Sequence, residues 1–133
     1  MKSKINCLSI NTYYQAFEVL NTYKYSKNIP IFYVKYNLIN RLSINWLLEL
    51  IFLLENKFGS NKFKTYVNVK RNYGLLINLV EEKINYLEVQ ANKELLSKLK
   101  SIAKINKVII NPNFSIIDLT KSKNIKIKLK NLN

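Results

Sequence analysis

Apolar and polar positions alternate with two different periods along the chain, and each period predicts a different kind of element. Over residues 12–26, Tyr13, Phe17 and Leu20 recur at helical spacing, with Asn11 or Thr12 placed to cap the first turn. The break at Asn28-Ile-Pro30 ends that pattern, and residues 31–36 are β-branched and aromatic, which predicts a strand. Residues 38–57 carry apolar side chains most of the way round a helix, through Leu42, Trp46, Leu47, Leu50, Ile51, Leu53 and Leu54. A helix of that kind is buried on several sides, so it is expected at the centre of the core, with Gly59 as its C-terminal cap.

Residues 63–69 alternate as a strand, and Lys70 to Gly74 is expected to turn, with Gly74 at a positive φ. Residues 75–80 and 84–90 predict two further strands joined at Glu81-Glu82-Lys83; a single helix from 74 to 90 is the rival reading. An amphipathic helix follows over 92–105, capped by Asn92, with Leu95, Leu96, Leu99, Ile102 and Ala103 on one face. Short strands are expected at 107–111 and 114–119, on either side of Pro112-Asn113. After a polar loop at 120–124, residues 125–130 alternate strictly, Ile125, Ile127 and Leu129 against Lys126, Lys128 and Lys130, which predicts a last strand. The order α-β-α-β-β-β-α-β-β-β implies one α+β domain over 1–133, with helices packed on a mostly antiparallel sheet and a basic C-terminal strand in 120–133.

Composition narrows the chemistry. The chain of 133 residues has 22 Lys+Arg against 8 Asp+Glu, no His and one Cys, for a net charge of +14. That excludes an internal disulfide, His- or multi-Cys zinc sites, and nucleophilic catalysis built on a Ser-His-Asp or Cys-His arrangement. Two glycines exclude a Gly-rich phosphate loop. The most apolar stretch, Leu42 to Leu54, is shorter than a membrane span and holds Asn45 and Glu49, and the N-terminus has no long apolar run, so neither a span nor a cleaved leader is expected. Lys, Asn and Ile are abundant together, as an A/T-rich genome would produce, and part of the positive charge has that origin. The charge is nonetheless uneven: residues 99–133 hold 8 basic groups and 1 acidic one. A clustered basic field binds polyanions by releasing their counterions, and nucleic acid is the commonest such partner.

Three segments are candidates for that contact. Lys126, Lys128 and Lys130, about 7 Å apart on one strand face, would match successive phosphates, with Lys121 and Lys123 in the loop before them. A solubilising edge strand explains the same lysines without a partner. The turn Lys70-Arg71-Asn72-Tyr73-Gly74 joins charge, an amide and an aromatic ring, the mixture that recognises RNA loops. Asn111, Asn113 and Ser115 offer amides and a hydroxyl on a turn, suited to sugar and base edges, although Asn and Pro favour turns for their own reasons. No cofactor and no metal site are expected; Glu49, Glu55, Glu81, Glu82, Glu88, Glu94 and Asp118 are the candidate metal ligands, in no nuclease-like pattern.

With the elements in this order, the chain resembles the small-subunit ribosomal protein family numbered eight. Residues 12–26, 29–36 and 38–59 are similar in order and length to its first half; Glu94 to Lys100 resembles its short helix; Lys107 to Ile117 resembles the strand-turn-strand that docks on ribosomal RNA. The family's Ser-Thr-Ser-x-Gly turn is replaced by Asn111 to Ser115, and its Ser-Lys-Pro-Gly stretch by Val89 to Asn92. The resemblance implies a non-catalytic scaffold whose partners are ribosomal RNA and neighbouring ribosomal proteins, in an organelle such as the mitochondrion, with RNA contacts at Lys70, Arg71, Tyr73, Lys107, Asn111, Asn113, Ser115 and the C-terminal lysines. A structural subunit of a membrane-associated organellar complex is the alternative, resting on the apolar helix at 42–54.

Overall fold

The computed structural model describes residues 6–120 and 124–132. Strands and helices alternate: β1 (Cys7–Ser9), α1 (Tyr13–Thr22), β2 (Ile31–Val34), α2 (Tyr36–Phe58), β3 (Lys64–Lys70), α3 (Tyr73–Glu81), β4 (Tyr86–Val89), α4 (Lys93–Ile105), β5 (Ile109–Ile110), β6 (Ile116–Asp118) and α5 (Ile125–Leu132). The six strands form one sheet in the order β5-β4-β3-β2-β1-β6, every pair parallel.

The expected antiparallel α+β arrangement is therefore wrong, and the fold is α/β. The difference lies in three segments. Residues 7–9, for which no element is expected, form β1 in the interior of the sheet between β2 and β6. Residues 75–80 are not a strand: Asn72 accepts the Leu75 N–H and starts α3, and Gly74 lies inside that helix without a positive φ. The run Leu75-Leu-Ile-Asn-Leu-Val is almost continuously apolar, a pattern that periodicity cannot assign. A helix between β3 and β4 makes a crossover, and a crossover makes the strands parallel, whereas a hairpin would have made them antiparallel. Residues 125–130 form α5, not a strand. Ile125 and Leu129, one helical turn apart, are buried, while Ile127 is 57% exposed. The two-residue alternation hid an i, i+4 pair.

Other elements fall close to expectation. Thr12 caps α1 in a capping box with Gln15, Asn92 caps α4, and Gly59 ends α2 at φ 107°. By length and composition alone α2 could cross a membrane; its backbone breaks at Ser43 (φ 79°), and Leu38, Ile39, Leu47, Leu50 and Leu54 are buried in the fold.

Each β-α-β step from β1 to β5 joins neighbouring parallel strands, so right-handed crossovers lay α1 to α4 on one face of the sheet. That face holds the main core, where Leu8, Phe32, Val34, Val67 and Leu87 meet Val19, Leu47, Leu76 and Leu99 from the helices. Among the described residues the opposite face has no helix, yet Cys7, Ile31, Tyr33 and Tyr66 are buried there. Residues 111–115 cover them. This segment leaves β5 at one margin and delivers β6 to the other, so it straps across the sheet. A flat sheet would hold its marginal strands about 24 Å apart, five spacings of about 4.8 Å, while the chain from Ile110 to Ile116 reaches at most about 21 Å. The sheet must therefore curve, concave toward the strap. Phe114 fills the concavity, with its ring 5.0 Å from Tyr86 and 6.0 Å from Tyr66.

Candidate functional site

Because all six strands run the same way, their carboxyl ends share one rim of the sheet, and α1, α2, α3 and α4 all begin there. Helix N-termini bring partial positive charge to that rim. Lys35 ends β2 and Lys70 ends β3, Arg71 follows it, and Arg41 stands one turn into α2. Lys128 of α5 reaches back, and its Nζ donates to the Asp118 backbone carbonyl at 2.9 Å. The two arginines of the chain are thus both on this rim.

The carboxylates of the rim are paired. Asp118 accepts from the Thr120 hydroxyl at 2.5 Å and the Thr120 N–H at 2.9 Å, and Lys35 Nζ lies 3.0 Å from its other oxygen. The Thr120 bonds first, and then Lys35, hold its acid form down to a pKa of about 2. Glu94, in the first turn of α4, faces Lys98 at 3.9 Å. Lys70 rests its ammonium 5.5 Å over the ring of Tyr36.

Two depressions open on the rim, each with one arginine. The first, about 280 Å³, is lined by Asn11, Lys35, Asn37, Leu38, Arg41 and Thr120. It lies where the strand order reverses, with β1 flanked by β2 on one side and β6 on the other, the place where open α/β sheets bind ligands. The second, about 710 Å³, is lined by Arg71, Tyr73, Gln90, Asn92, Leu96 and Asn111 among others. Both offer a guanidinium and side-chain amides, a donor set for phosphates and sugar hydroxyls.

The structure brings Lys70, Arg71, Tyr73, Asn111 and Lys128 to this one rim, from segments far apart in sequence. Two of them have structural duties. Tyr73 donates its hydroxyl to the Gln90 carbonyl at 2.9 Å. The Asn111 side chain accepts the Val89 N–H at 2.8 Å and donates to the Val89 carbonyl at 3.1 Å, so it anchors the start of the strap instead of offering a free amide. Asn113 and Ser115 are exposed on the strap, away from the rim. Lys107 lies in the turn after α4, at the opposite edge of the sheet, in a left-handed conformation (φ 61°). Lys126 and Lys130 belong to α5, so the strand spacing that matched them to phosphates does not exist. Lys121 and Lys123 lie outside the described residues. Sequence reasoning missed Lys35, Arg41, Asn11, Asn37 and Thr120. The available signal was Arg41, the other arginine of a lysine-dominated chain, and the rule that polar residues just after parallel strands face ligands.

The helix-free face carries hydroxyl groups with a different character. Tyr33 donates to Glu88 at 2.6 Å and accepts from Asn68 at 3.1 Å. Burial raises the pKa of the Tyr33 and Tyr66 hydroxyls, with Glu88 adding to the rise, and pushes the Cys7 thiol up to about 12. A thiol held protonated and covered in this way is a poor nucleophile. Among the described residues no cluster of three or more Cys, Asp or Glu side chains could hold a metal ion. No family model, no curated protein and no solved structure matches the chain.

Proposed function

We propose that this chain is a non-catalytic RNA-binding protein that seats a structured RNA on the carboxyl-end rim, as a component of a ribonucleoprotein such as an organellar small ribosomal subunit. The observation that carries this reading is the convergence of both arginines, Lys35 and Lys70, and four helix N-termini on one rim whose carboxylates are already paired. Arg41 and Arg71 would grip phosphates through their planar forks, Lys70 would neutralise a neighbouring one while Lys35 holds Asp118, and Asn11 and Asn37 would reach sugar hydroxyls. The contribution is positioning, with no bond made or broken.

The test is binding of a structured RNA over a salt series, together with sedimentation alongside small ribosomal subunits at low and high salt. Three or four neutralised phosphates give a slope of log affinity on log salt of about −3. A slope near zero, or absence from ribosomal fractions at low salt, would remove the proposal. A second reading has one observation in its favour: α2 leaves Phe52 59% exposed beside exposed Leu53. Recovery in a membrane complex instead of with ribosomes would support a structural subunit there.

A further inference from the structure

The edge of the sheet opposite the rim carries a cavity that the reading above does not use. It is about 420 Å³ and lies between the end of α1, the loop that leads to β2, and the end of α2. Four lysines line it, Lys24, Lys27, Lys57 and Lys62, and among the described residues no carboxylate does. Its wall is apolar where Leu20, Ile29 and Phe58 contribute. Tyr25 also lines it, with 91% of its surface exposed and the Lys24 ammonium 5.7 Å from its ring centroid.

These features call for one kind of ligand. Four like charges around a small cavity repel one another until an anion enters. A phosphate alone would satisfy them but leaves the apolar wall and the free aromatic ring without a role. An acyl chain would need a longer apolar wall than Leu20, Ile29 and Phe58 provide and has no use for four lysines. A flat heteroaromatic base attached to a phosphate answers both halves: its face stacks on Tyr25 and the apolar wall, and its phosphates sit among the ammonium groups. The volume is within the range of small-ligand sites and suits one nucleotide. We propose that this cavity takes an unstacked nucleotide of a single-stranded RNA segment. The inference rests on the RNA-binding reading and extends it to the other edge of the sheet, so that a duplex region and a looped-out base are held at separate places.

The experiment uses the full chain, a fluorescein-labelled oligouridylate of about ten nucleotides and a labelled RNA hairpin with a fully paired stem, each followed by anisotropy. Tyr25→Ala alters an exposed ring and leaves the core intact. It is expected to weaken oligouridylate binding by about five- to a hundredfold and hairpin binding less than twofold. Tyr25→Phe should restore the oligouridylate affinity, and Lys27→Gln combined with Lys62→Gln should lower it and flatten its salt dependence. Ultraviolet crosslinking should attach uridine within residues 23–29. An oligouridylate affinity unchanged by Tyr25→Ala overturns the proposal. Wild-type protein that binds the hairpin but not the oligouridylate overturns it while the rim reading stands; binding of the oligouridylate alone does the reverse; binding of neither overturns both. Lysine-dependent binding to anionic phospholipid vesicles with no oligouridylate response also overturns it.

Discussion

Phe114 stands edge-on to Tyr86, with ring centroids 5.0 Å apart and planes at 82°. Tyr86 belongs to β4, near one margin of the sheet, and Phe114 to the segment on its way to the other. The contact closes the concave face over Cys7, Tyr33 and Tyr66, a lid made by a single aromatic ring and its strap. Phe114→Ala should cost about 2–3 kcal/mol, less than truncation of a fully buried aromatic ring because this one is half-buried. Denaturant unfolding measures that loss. The same variant should expose Cys7, so that a thiol reagent which ignores the native wild-type protein at pH 8 reacts with it. Unchanged stability and an unreactive thiol would show that the strap holds without its ring.

Asp118 gives the fold an acid limit. Its carboxyl titrates near 2 in the folded protein against an ordinary value of 3.8. The depressed value means that its contribution is complete above pH 4 and is lost as pH falls toward 2. Wild-type stability should therefore drop over that window, and the drop should be smaller in Asp118→Asn. The side chain is about half exposed, so the difference will be modest. Parallel stability curves for the two proteins would contradict the assignment.

Ser43 and Gly59 share a backbone region that only glycine occupies without strain, at φ 79°, ψ 166° and φ 107°, ψ 155°. Ser43→Gly should accordingly stabilise the protein by about 1 kcal/mol by relieving the break in α2, despite glycine's larger entropy when unfolded. Gly59→Ala should destabilise it by about 1–3 kcal/mol. A new Cβ at Gly59 would meet only Lys62 Cγ at 3.6 Å, an ordinary contact, so the cost comes from the backbone. Thermal melts of the two variants should move in opposite directions.

Arg41→Gln and Arg71→Gln should each weaken structured-RNA binding about three- to tenfold and reduce the magnitude of the salt slope by about 1. Both arginines are exposed, so folding stability should change by less than about 0.5 kcal/mol. A loss of affinity with an unchanged slope would mean that neither group touches phosphate.

How much of this was legible beforehand depended on the kind of signal. Caps were legible, because Thr12 and Asn92 are local devices that precede an apolar period. Apart from β1, too short at three residues to show a period, the first half of the chain followed from pattern. The direction of the sheet did not, because it hinged on whether Leu75 to Val80 formed a crossover, and an unbroken apolar run gives no period to decide it. The C-terminal lysines misled for the opposite reason: a perfect two-residue alternation contained a helical pair, Ile125 and Leu129, whose burial depends on α1 and not on any neighbour in sequence. Arg71 and Tyr73 were found because they form a compact local group. Arg41 and Lys35 were missed because only the parallel topology brings them beside Thr120.

The pairing of β1 with both β2 and β6 sets an order of events during synthesis. Cys7 finds Ile31 early, but its other neighbour, Ile116, is made more than a hundred residues later. Until then one side of β1 has unpaired amides and carbonyls, and the aromatic face lacks Phe114. Until those residues are made, a nascent chain of this kind presents an open edge and an uncovered apolar surface, the two features that invite wrong pairings. Its yield in a cell should thus depend on how quickly residues 111–120 follow β1 to β5, and slower synthesis of that segment should lower it.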